Sequence, residues 1–380
     1  MAKREVIMFA VILASLAFVN VGCASAATYY VNPGDSIQSA ITAASSGDTI
    51  IVRDGTYTEG IEVVDKSLTI QSENGFDSTT IHIPGFFLVT TDYVKVSGFT
   101  VKGRSGYLGV LKLKSADYCN ISNNNVRIIL EASNNNTVTN NICTNNSGNG
   151  IYLSSSSNNT VTNNICTNDS VGIYLASSHK NIITNNICTN NSGNGIFSSR
   201  SDKNIITNNI CANNSENGIS LAASLDKNII SRNKCYSNNK FGIRVYNNEC
   251  NVTNNVCYSN NGGGIQLNGQ NNIISSNKCY SNRGHGIDTY GACNHIKNNS
   301  CTNNSEDGIY LKDSRSNHIY YNNCSNNNHG IYLNWKGSHH RIPFHFKYGW
   351  FTASYTTNAI ERFTPSYTTN AIKLWKASQR

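Results

Sequence analysis

Cysteine is the side chain of this sequence with the greatest scope for metal chemistry, and it recurs at a fixed spacing. Thiolates are soft ligands that suit copper(I) or zinc. No CxxC or CxxxC spacing occurs, and cysteine is also a small apolar side chain that fills narrow cores. The pattern favours reduced, buried thiols over disulfides or a metal site, and we expect no cofactor. The nine recurrent residues are Cys143, Cys166, Cys188, Cys211, Cys235, Cys257, Cys279, Cys301 and Cys324.

Carboxylates that could perform acid–base catalysis are sparse in the same region. Enzymes that cleave glycosidic bonds use a pair of carboxylates, and no repeat contains Asp-Asp or Asp-x-Asp. The segment Arg283–Asp288 contains Gly-His-Gly, which is similar to a segment of polygalacturonases, but the repeat itself accounts for Gly286. The sequence assigns no catalytic residue, and His285, Asp288 and Arg244 are weak candidates.

Two outward positions of the repeat change their chemistry together in the middle of the chain. Exposed tyrosines are platforms for sugar rings, and a row of them suits a polymer. Tyrosine is also a good strand former that protects the surface of a sheet. The candidate carbohydrate-binding residues are Tyr236, Tyr258 and Tyr280 after the cysteine, and Arg244, Gln266 and Asp288 after Gly-Ile. The expected partner is a polysaccharide or cell-envelope glycan.

A repeat of about 22 residues positions all of these side chains. Its clearest copy is Asn158–Leu175, NNTVTNNICTNDSVGIYL, and the isoleucine of Gly-Ile follows each recurrent cysteine by seven or eight residues. A fixed period of this length predicts a solenoid, in which each repeat buries its apolar side against its neighbours. Three short strands and three bends per repeat give a coil of parallel sheets.

Side-chain parity predicts the inside of this coil. Neighbouring side chains of a strand point to opposite faces, so an inward Cys143 places Ile142 outward and Asn141 inward. The odd separation from the preceding apolar residue requires a bend at Asn140 or Asn141, and asparagine tolerates the left-handed conformation. Asparagine stands two residues before all nine recurrent cysteines, which predicts a stacked asparagine ladder.

One repeat is shorter than the others. Val126 takes the cysteine position and Ile128 follows almost at once, so the turn that reads TNNSGNG elsewhere is missing. The deletion predicts a notch in the rod.

The chain divides into four segments. Residues 1–26 are typical of a secretory signal peptide, with lipid attachment at Cys23 or an uncleaved anchor as alternatives. Residues 27–110 are expected to form an N-terminal cap and irregular first coils, with a short capping helix whose N-cap is Asp35. Regular repeats occupy 111–334. Residues 335–380 form a divergent tail that could cap the last coil, dock a partner or be out-of-frame sequence, and we expect it to be poorly ordered. No other apolar run is long enough to span a membrane.

Charge argues against nucleic acid as a partner. The formal net charge is +8 and only 14% of residues are charged. No Lys/Arg run or basic stripe occurs in the repeats, where a nucleic-acid-binding surface would need one. Several Asn-x-Ser/Thr sequons, including Asn145 and Asn168, would carry glycans if the host glycosylates exported proteins.

The opening SIQSAITAASSGDTIIVRDGTYTEG, followed by N-x-[IV]-x-N-N-x-C units and GIYL, resembles the NosD-like branch of the pectin-lyase-like superfamily. The resemblance covers roughly residues 28–334. It implies an all-β fold, a single-stranded right-handed parallel β-helix. Members named NosD are periplasmic accessory proteins linked to copper maturation of nitrous oxide reductase, and other members are prokaryotic surface proteins associated with carbohydrates.

Residues and resemblance together predict an exported cell-surface protein, more a scaffold or polysaccharide binder than an enzyme. One alternative is a carbohydrate-active lyase, hydrolase or epimerase. Another is a NosD-like periplasmic copper accessory protein.

Overall fold

The chain winds as a right-handed parallel β-helix, which confirms the predicted fold class. The computed structural model describes residues 25–103, 107–222, 227–312 and 316–334, together with the backbone of 351–356 and 360–365. A typical coil contributes one short strand to each of three sheets, termed A, B and C. Each strand pairs in parallel with its equivalent one coil further on.

Sheets A and B meet at the bend that the repeated asparagines form. Sheet A comprises Thr28–Val31, Thr49–Val52, Thr69–Ser72, Lys95–Ser97, Asn120–Ser122, Thr137–Thr139, Thr160–Thr162, Ile182–Thr184, Ile205–Thr207, Ile229–Ser231, Asn251–Thr253, Ile273–Ser275, His295–Lys297 and His318–Tyr320. Sheet B begins with Gly55–Thr58, Thr79–His82 and Thr100–Lys102. It continues with Ile142–Thr144, Ile165–Thr167, Ile187–Thr189, Ile210–Ala212, Lys234–Tyr236, Val256–Tyr258, Lys278–Tyr280, Ser300–Thr302 and Asn323–Ser325.

Sheet C carries the Gly-Ile strands. It comprises Ile61–Val63, Phe86–Val89, Val110–Lys114, Arg127–Glu131, Ile151–Ser154, Ile173–Ala176, Ile196–Ser199, Ile219–Ala222, Phe241–Val245, Gly263–Asn268, Ile287–Tyr290, Ile309–Lys312 and Ile331–Asn334. Beyond it the backbone of Phe351–Thr356 and Ile360–Pro365 forms an antiparallel pair, with the second strand along Ile331–Asn334. The rest of the predicted tail, and residues 1–24 of the predicted signal peptide, lie outside the described residues.

A single short helix, Ile37–Ala43, lies before the first complete coil of the described chain. Its N-cap is Ser36, whose hydroxyl accepts from Ser39 N–H at 3.0 Å, so the prediction of Asp35 was wrong. The Asp35 carboxylate instead closes the preceding turn by accepting from Asn32 N–H at 3.0 Å. Ile37 and Ile41 are buried and cover the first coil.

The predicted asparagine ladder is present at the bend between sheets A and B. Asn164 donates to Asn186 Oδ1 through its backbone N–H at 2.9 Å and its Nδ2 at 3.0 Å, and the pattern repeats along the rod. The bend lies at the preceding residue, where Asn163 has a φ of 57°. Each ladder side chain therefore satisfies buried backbone and amide groups that water cannot reach.

Two further ladders occupy the other bends and were not predicted. Between sheets C and A the column includes Asn136, Asn159, Asn181, Asn204 and Asn228. Between sheets B and C it comprises Asn146, Asp169, Asn191, Asn214, Asn238, Asn260, Asn282, Asn304 and Asn327. One member of this last ladder is an aspartate.

The recurrent cysteines form a column in the core. All nine are buried, and they are free thiols. Cys166 lies in register with Cys143 below and Cys188 above. Cys293 is the exposed thiol among the described cysteines. Side-chain parity thus predicted correctly that these cysteines point into the core.

The short repeat lacks a turn, as predicted. Asn125 bridges to sheet B, and the strand Arg127–Glu131 of sheet C begins two residues later. The Arg127 side chain reaches below the turn of the next coil, where its Nε donates to Asn149 O at 3.1 Å. The same guanidinium occupies the space where a Cβ on Gly148 would stand, with Nη2 at 2.6 Å. Arginine therefore packs into the place of the deleted turn.

Candidate functional site

The candidate site lies on the outward face of sheet C, where one column of side chains changes from aromatic to polar and back. The column follows the isoleucine of Gly-Ile, and parallel pairing keeps it in register from coil to coil. Its members are Tyr152, Tyr174, Phe197, Ser220, Arg244, Gln266, Asp288, Tyr310 and Tyr332. Three of the six predicted carbohydrate-binding residues are therefore neighbours in a single column.

Those three residues form a hydrogen-bonded string along the rod. Arg244 Nε donates to Gln266 Oε1 at 3.1 Å, and Gln266 Nε2 donates to Asp288 Oδ2 at 2.9 Å. Arg244 Nη2 also donates to the hydroxyl of Tyr246, in the next outward column. The string orients donors and acceptors at the coil spacing of about 4.8 Å.

Asp288 is the buried end of the string. The residue is 4% exposed, and its Oδ1 has no hydrogen-bond partner among the described residues. Burial raises the pKa of this carboxyl, while the Gln266 bond and the nearby His285 oppose the rise. Burial and the neighbouring Asp288 raise the pKa of Tyr290 to about 12. A carboxyl in these surroundings holds its proton at higher pH than an exposed aspartate does.

His285, a candidate from the sequence, stands beside the string in a second column that was not predicted. The residue before Gly-Ile is His285, Asp307 and His329 in three successive coils. Asp307 contacts both imidazoles, with Oδ2 at 3.4 Å from His285 Nδ1 and Oδ1 at 2.5 Å from His329 Nδ1. Aligning the residue before each Gly-Ile would have shown this alternation of histidine and aspartate.

The hydrogen bonds of His285 define its tautomer. Its Nδ1 accepts from Asp307 N–H at 3.1 Å, and its Nε2 lies 3.0 Å from a Glu306 carboxylate oxygen. An acceptor nitrogen carries no proton, so the proton of the neutral ring is on Nε2. The ring also stacks on Tyr310, with centroids 4.3 Å apart.

Aromatic stacks lie on both sides of the string. Tyr174 and Phe197 stack below it with centroids 4.9 Å apart, and Tyr310 and Tyr332 stack above it at 5.6 Å. Ser220 follows Phe197 in the column, so this column of rings ends at Phe197. The result is a polar stretch of sheet bounded by aromatic rings.

The three predicted tyrosines of sheet B lie on a different face of the same coils. Tyr236, Tyr258 and Tyr280 stack on one another with centroids 4.9 and 5.0 Å apart and nearly parallel planes. Lys234 Nζ lies 5.3 Å from the Tyr236 ring centroid. Because the ring faces contact each other, this stack offers ring edges and hydroxyls rather than the faces on which a sugar stacks.

The fold defines a right-handed parallel β-helix protein, and this polar-and-aromatic face is its candidate site. The chain belongs to the NosD family, whose model, described as periplasmic copper-binding protein, matches residues 41–175 and 101–256. A model for the right handed beta helix region matches residues 242–343. No protein of curated function matches the chain.

Solved structures share the fold at low identity. The mannuronan C-5 epimerase AlgE4 A-module of Azotobacter vinelandii is 14% identical, with a TM-score of 0.53 over 80% of this chain and 93% of that one. A GH87 alpha-1,3-glucanase catalytic domain is 15% identical, with a TM-score of 0.58 over 84% and 68%. The Dettilon tailspike protein is 16% identical, with a TM-score of 0.55 over 80% and 68%. At such identities the likeness concerns the fold alone.

The described residues do not fit a copper centre. Among them, no three His, Cys, Asp or Glu side chains are grouped so as to hold a metal ion. Burial raises the pKa of the Cys143, Cys188 and Cys257 thiols, which keeps them protonated, whereas hydrogen bonds from Cys211 and Cys257 outweigh burial and lower the pKa of Cys235 to about 6. Thiolate is the form that binds copper(I). No step is therefore assigned to copper.

The described residues also contain no helix that is long and apolar enough to cross a membrane.

Proposed function

We propose that this chain is an exported β-helix protein that binds a polysaccharide or cell-envelope glycan along sheet C. The observation that carries the proposal is the string Arg244–Gln266–Asp288, three polar side chains linked by hydrogen bonds on the outward face of one sheet. Sugar hydroxyls need such oriented donors and acceptors, and repetition at the coil spacing suits a polymer. An extracytoplasmic location agrees with the periplasmic description of the family.

A second outward column supplies the aromatic component of the proposed site. It places Tyr246 beside Arg244 and Tyr290 beside Asp288, with the exposed Asn268 in the coil between them. Two coils separate the tyrosines, about 10 Å. A sugar ring over Asn268 would have an aromatic ring on either side and the Gln266 amide next to it. Aromatic rings with a few fixed polar groups are a common composition of ligand sites.

Binding to immobilised polysaccharides tests the proposal. Wild-type protein is expected to retain at least one uronate-containing or neutral polymer on an array. Gln266→Ala should reduce that retention because it removes both links of the string. Tyr258→Ala, on the stacked tyrosines of sheet B, is the matched control and should bind as the wild type does. Failure of the wild type to bind any polymer, or a loss confined to Tyr258→Ala, contradicts the proposal.

Catalysis on the same glycan is the second candidate function, and the surroundings of Asp288 favour it. A buried carboxyl with a raised pKa is suited to proton donation, and His285 and Tyr310 lie beside it. Release of unsaturated or reducing products from uronate polymers, lost in Asp288→Asn, would establish this activity. Binding without product release would limit the site to recognition.

A further inference from the structure

A buried carboxyl interrupts the amide ladder between sheets B and C. Asp169 is 2% exposed and stands between Asn146 in the coil below and Asn191 in the coil above. Its Oδ1 performs the ladder function, accepting from Asn146 N–H at 3.0 Å and from Asn146 Nδ2 at 2.8 Å. Asp169 N–H donates to Asn191 Oδ1 at 3.0 Å. The backbone N–H and the Oδ1 atom of Asp169 thus make the same hydrogen bonds that an asparagine makes in this ladder.

The second oxygen of Asp169 does not fit the ladder as a carboxylate. In the next coil, Asn191 Nδ2 donates to Asn214 Oδ1 at 2.9 Å and to Cys166 O at 3.3 Å. By the repeat, Asp169 Oδ2 stands where that NH₂ group would be and faces the oxygen of Asn191. This Oδ2 is buried and has no hydrogen-bond partner among the described residues. Two acceptors facing each other in the absence of water are unfavourable unless one carries a proton.

Close packing leaves no room for a water molecule that could donate a hydrogen bond to Oδ2 instead. A Cβ placed on Gly150 would lie 2.5 Å from Asp169 Oδ2 and 2.8 Å from Gly172 O. The oxygen therefore packs closely around Gly150 and is buried, so solvent does not reach it. A proton on Oδ2 would restore the missing donor.

We propose that Asp169 is a neutral carboxylic acid whose Oδ2 donates a hydrogen bond to Asn191, the next member of the ladder. We propose further that ionisation of Asp169 loosens the turn that contains Asn146, one coil above the turn that the short repeat lacks. The position is sensitive because the ladder begins there. Asn146 is its first amide, and Asn146 Oδ1 has no partner among the described residues. Ionisation of Asp169 would therefore weaken a stack that is held from one side only.

The titratable and charged groups around Asp169 agree with this assignment. Burial raises the pKa of Asp169 to about 7, while the two Asn146 bonds and the charge of Arg127 oppose the rise. The thiols of Cys143, Cys166 and Cys188 interact electrostatically with this carboxyl, and their raised pKa values keep them neutral. Arg127, half-buried one coil below the turn, is the cation that faces it in the described part of the chain.

The direction of the pH effect follows from proton linkage. The folded-state pKa is above the unfolded value of 3.8, so the folded protein binds the proton more tightly than the unfolded chain does. The stabilisation is complete below pH 4 and is lost as the pH rises through about 7. Over that interval the equilibrium constant for opening the turn should rise by up to about a thousandfold.

Two measurements on the full protein test this inference. The first is native-state hydrogen exchange at the backbone amides of Asn146 and Ser170, compared between the wild type and Asp169→Asn. In the variant every member of this ladder has an amide side chain. Protection in the wild type should fall from pH 5 to pH 8 relative to protection in the variant. The exposed-site control Asp77→Asn should behave as the wild type does. Equal protection in wild type and Asp169→Asn at both pH values, or protection that increases with pH, overturns the inference.

The second measurement observes the carboxyl directly, so it does not depend on how stable the variant is. The carboxyl carbon resonance of Asp169 in labelled wild-type protein should titrate with a midpoint near 7, as the raised pKa requires. A midpoint below 5 would show an ionised group at neutral pH and reject the proposal.

Discussion

Cys211 and Gly195 face each other across the core with no room for another carbon atom. A Cβ placed on Gly195 would lie 3.1 Å from Cys211 Cβ and 2.7 Å from Gly218 O. The same relationship joins Cys188 with Gly172 and Cys235 with Gly218. The glycine of each Gly-Ile and the recurrent cysteine are therefore two sides of one contact, and the small size of both residues sets the width of the coil.

Gly195→Ala should accordingly destabilise the rod. The new methyl group would press against backbone oxygen and Cys211, and overpacking of this kind costs about 1–3 kcal/mol. Urea denaturation should show the loss as a lower midpoint. Gly85→Ala is the control, because a Cβ there meets nothing within 4 Å. Equal midpoints for the two variants would contradict the contact.

The asparagine ladder should contribute more to stability than any single core contact. Asn186 Nδ2 donates to Val161 O at 2.9 Å and to Asn209 Oδ1 at 3.0 Å, and Asn186 Oδ1 accepts from Asn164. Asn186→Ala leaves several buried groups unpaired, at about 1–3 kcal/mol each. Denaturation should therefore show a loss of several kcal/mol.

Asn268→Ala is the matched control for the ladder, because Asn268 is an exposed asparagine in a strand of sheet C. Its stability should stay within about 0.5 kcal/mol of the wild type. A loss in Asn186→Ala no greater than in this control would show that the ladder is not a source of stability.

Thiol reactivity should separate Cys293 from the cysteine column. Cys293 is exposed, whereas the recurrent cysteines are buried. In the folded protein a thiol reagent is expected to modify Cys293 alone among the described cysteines, and unfolding should expose the others. Cys293→Ser should abolish the fast reaction. Rapid modification of several thiols in the folded protein would contradict the buried column.

His285 should tolerate asparagine better than leucine. Its Nδ1 accepts Asp307 N–H, as Asn194 Oδ1 accepts Asn217 N–H at 3.1 Å in an equivalent position. His285→Asn preserves the acceptor, while His285→Leu leaves that N–H unpaired at about 1–3 kcal/mol. Thermal unfolding should rank the two variants in this order. The opposite order would show that packing of the ring on Tyr310 matters more than the hydrogen bond.

Strand parity explains why so much of the interior could be predicted from sequence. The alternation of side chains placed Cys143 and Asn141 inward, and it placed Arg244, Gln266 and Asp288 in one outward column. Parity applies only within strands. The ladder of Asn146 and the column of His285 lie in turns, where the backbone is irregular, and the fit of Arg127 depends on contacts between coils. Only the structure brings these residues together.

The helix N-cap shows a limit of local rules. Asp35 and Ser36 are both good caps, and sequence alone does not choose between them. Asp35 is engaged by Asn32, and the Glu59 carboxylate from the next coil accepts Ile37 N–H at 2.8 Å. A contact between residues 22 apart in the chain thus supports the start of the helix at Ile37.

Hydroxyl-radical footprinting with the retained polysaccharide tests the central claim, that sheet C binds the glycan, most directly. Bound polymer should protect Tyr246 and Tyr290, which flank the string, and leave the oxidation of Tyr236, Tyr258 and Tyr280 unchanged. Gln266→Ala should weaken the protection of both flanking tyrosines. Protection confined to the sheet B tyrosines, or none on either sheet at saturating polymer, would contradict the account.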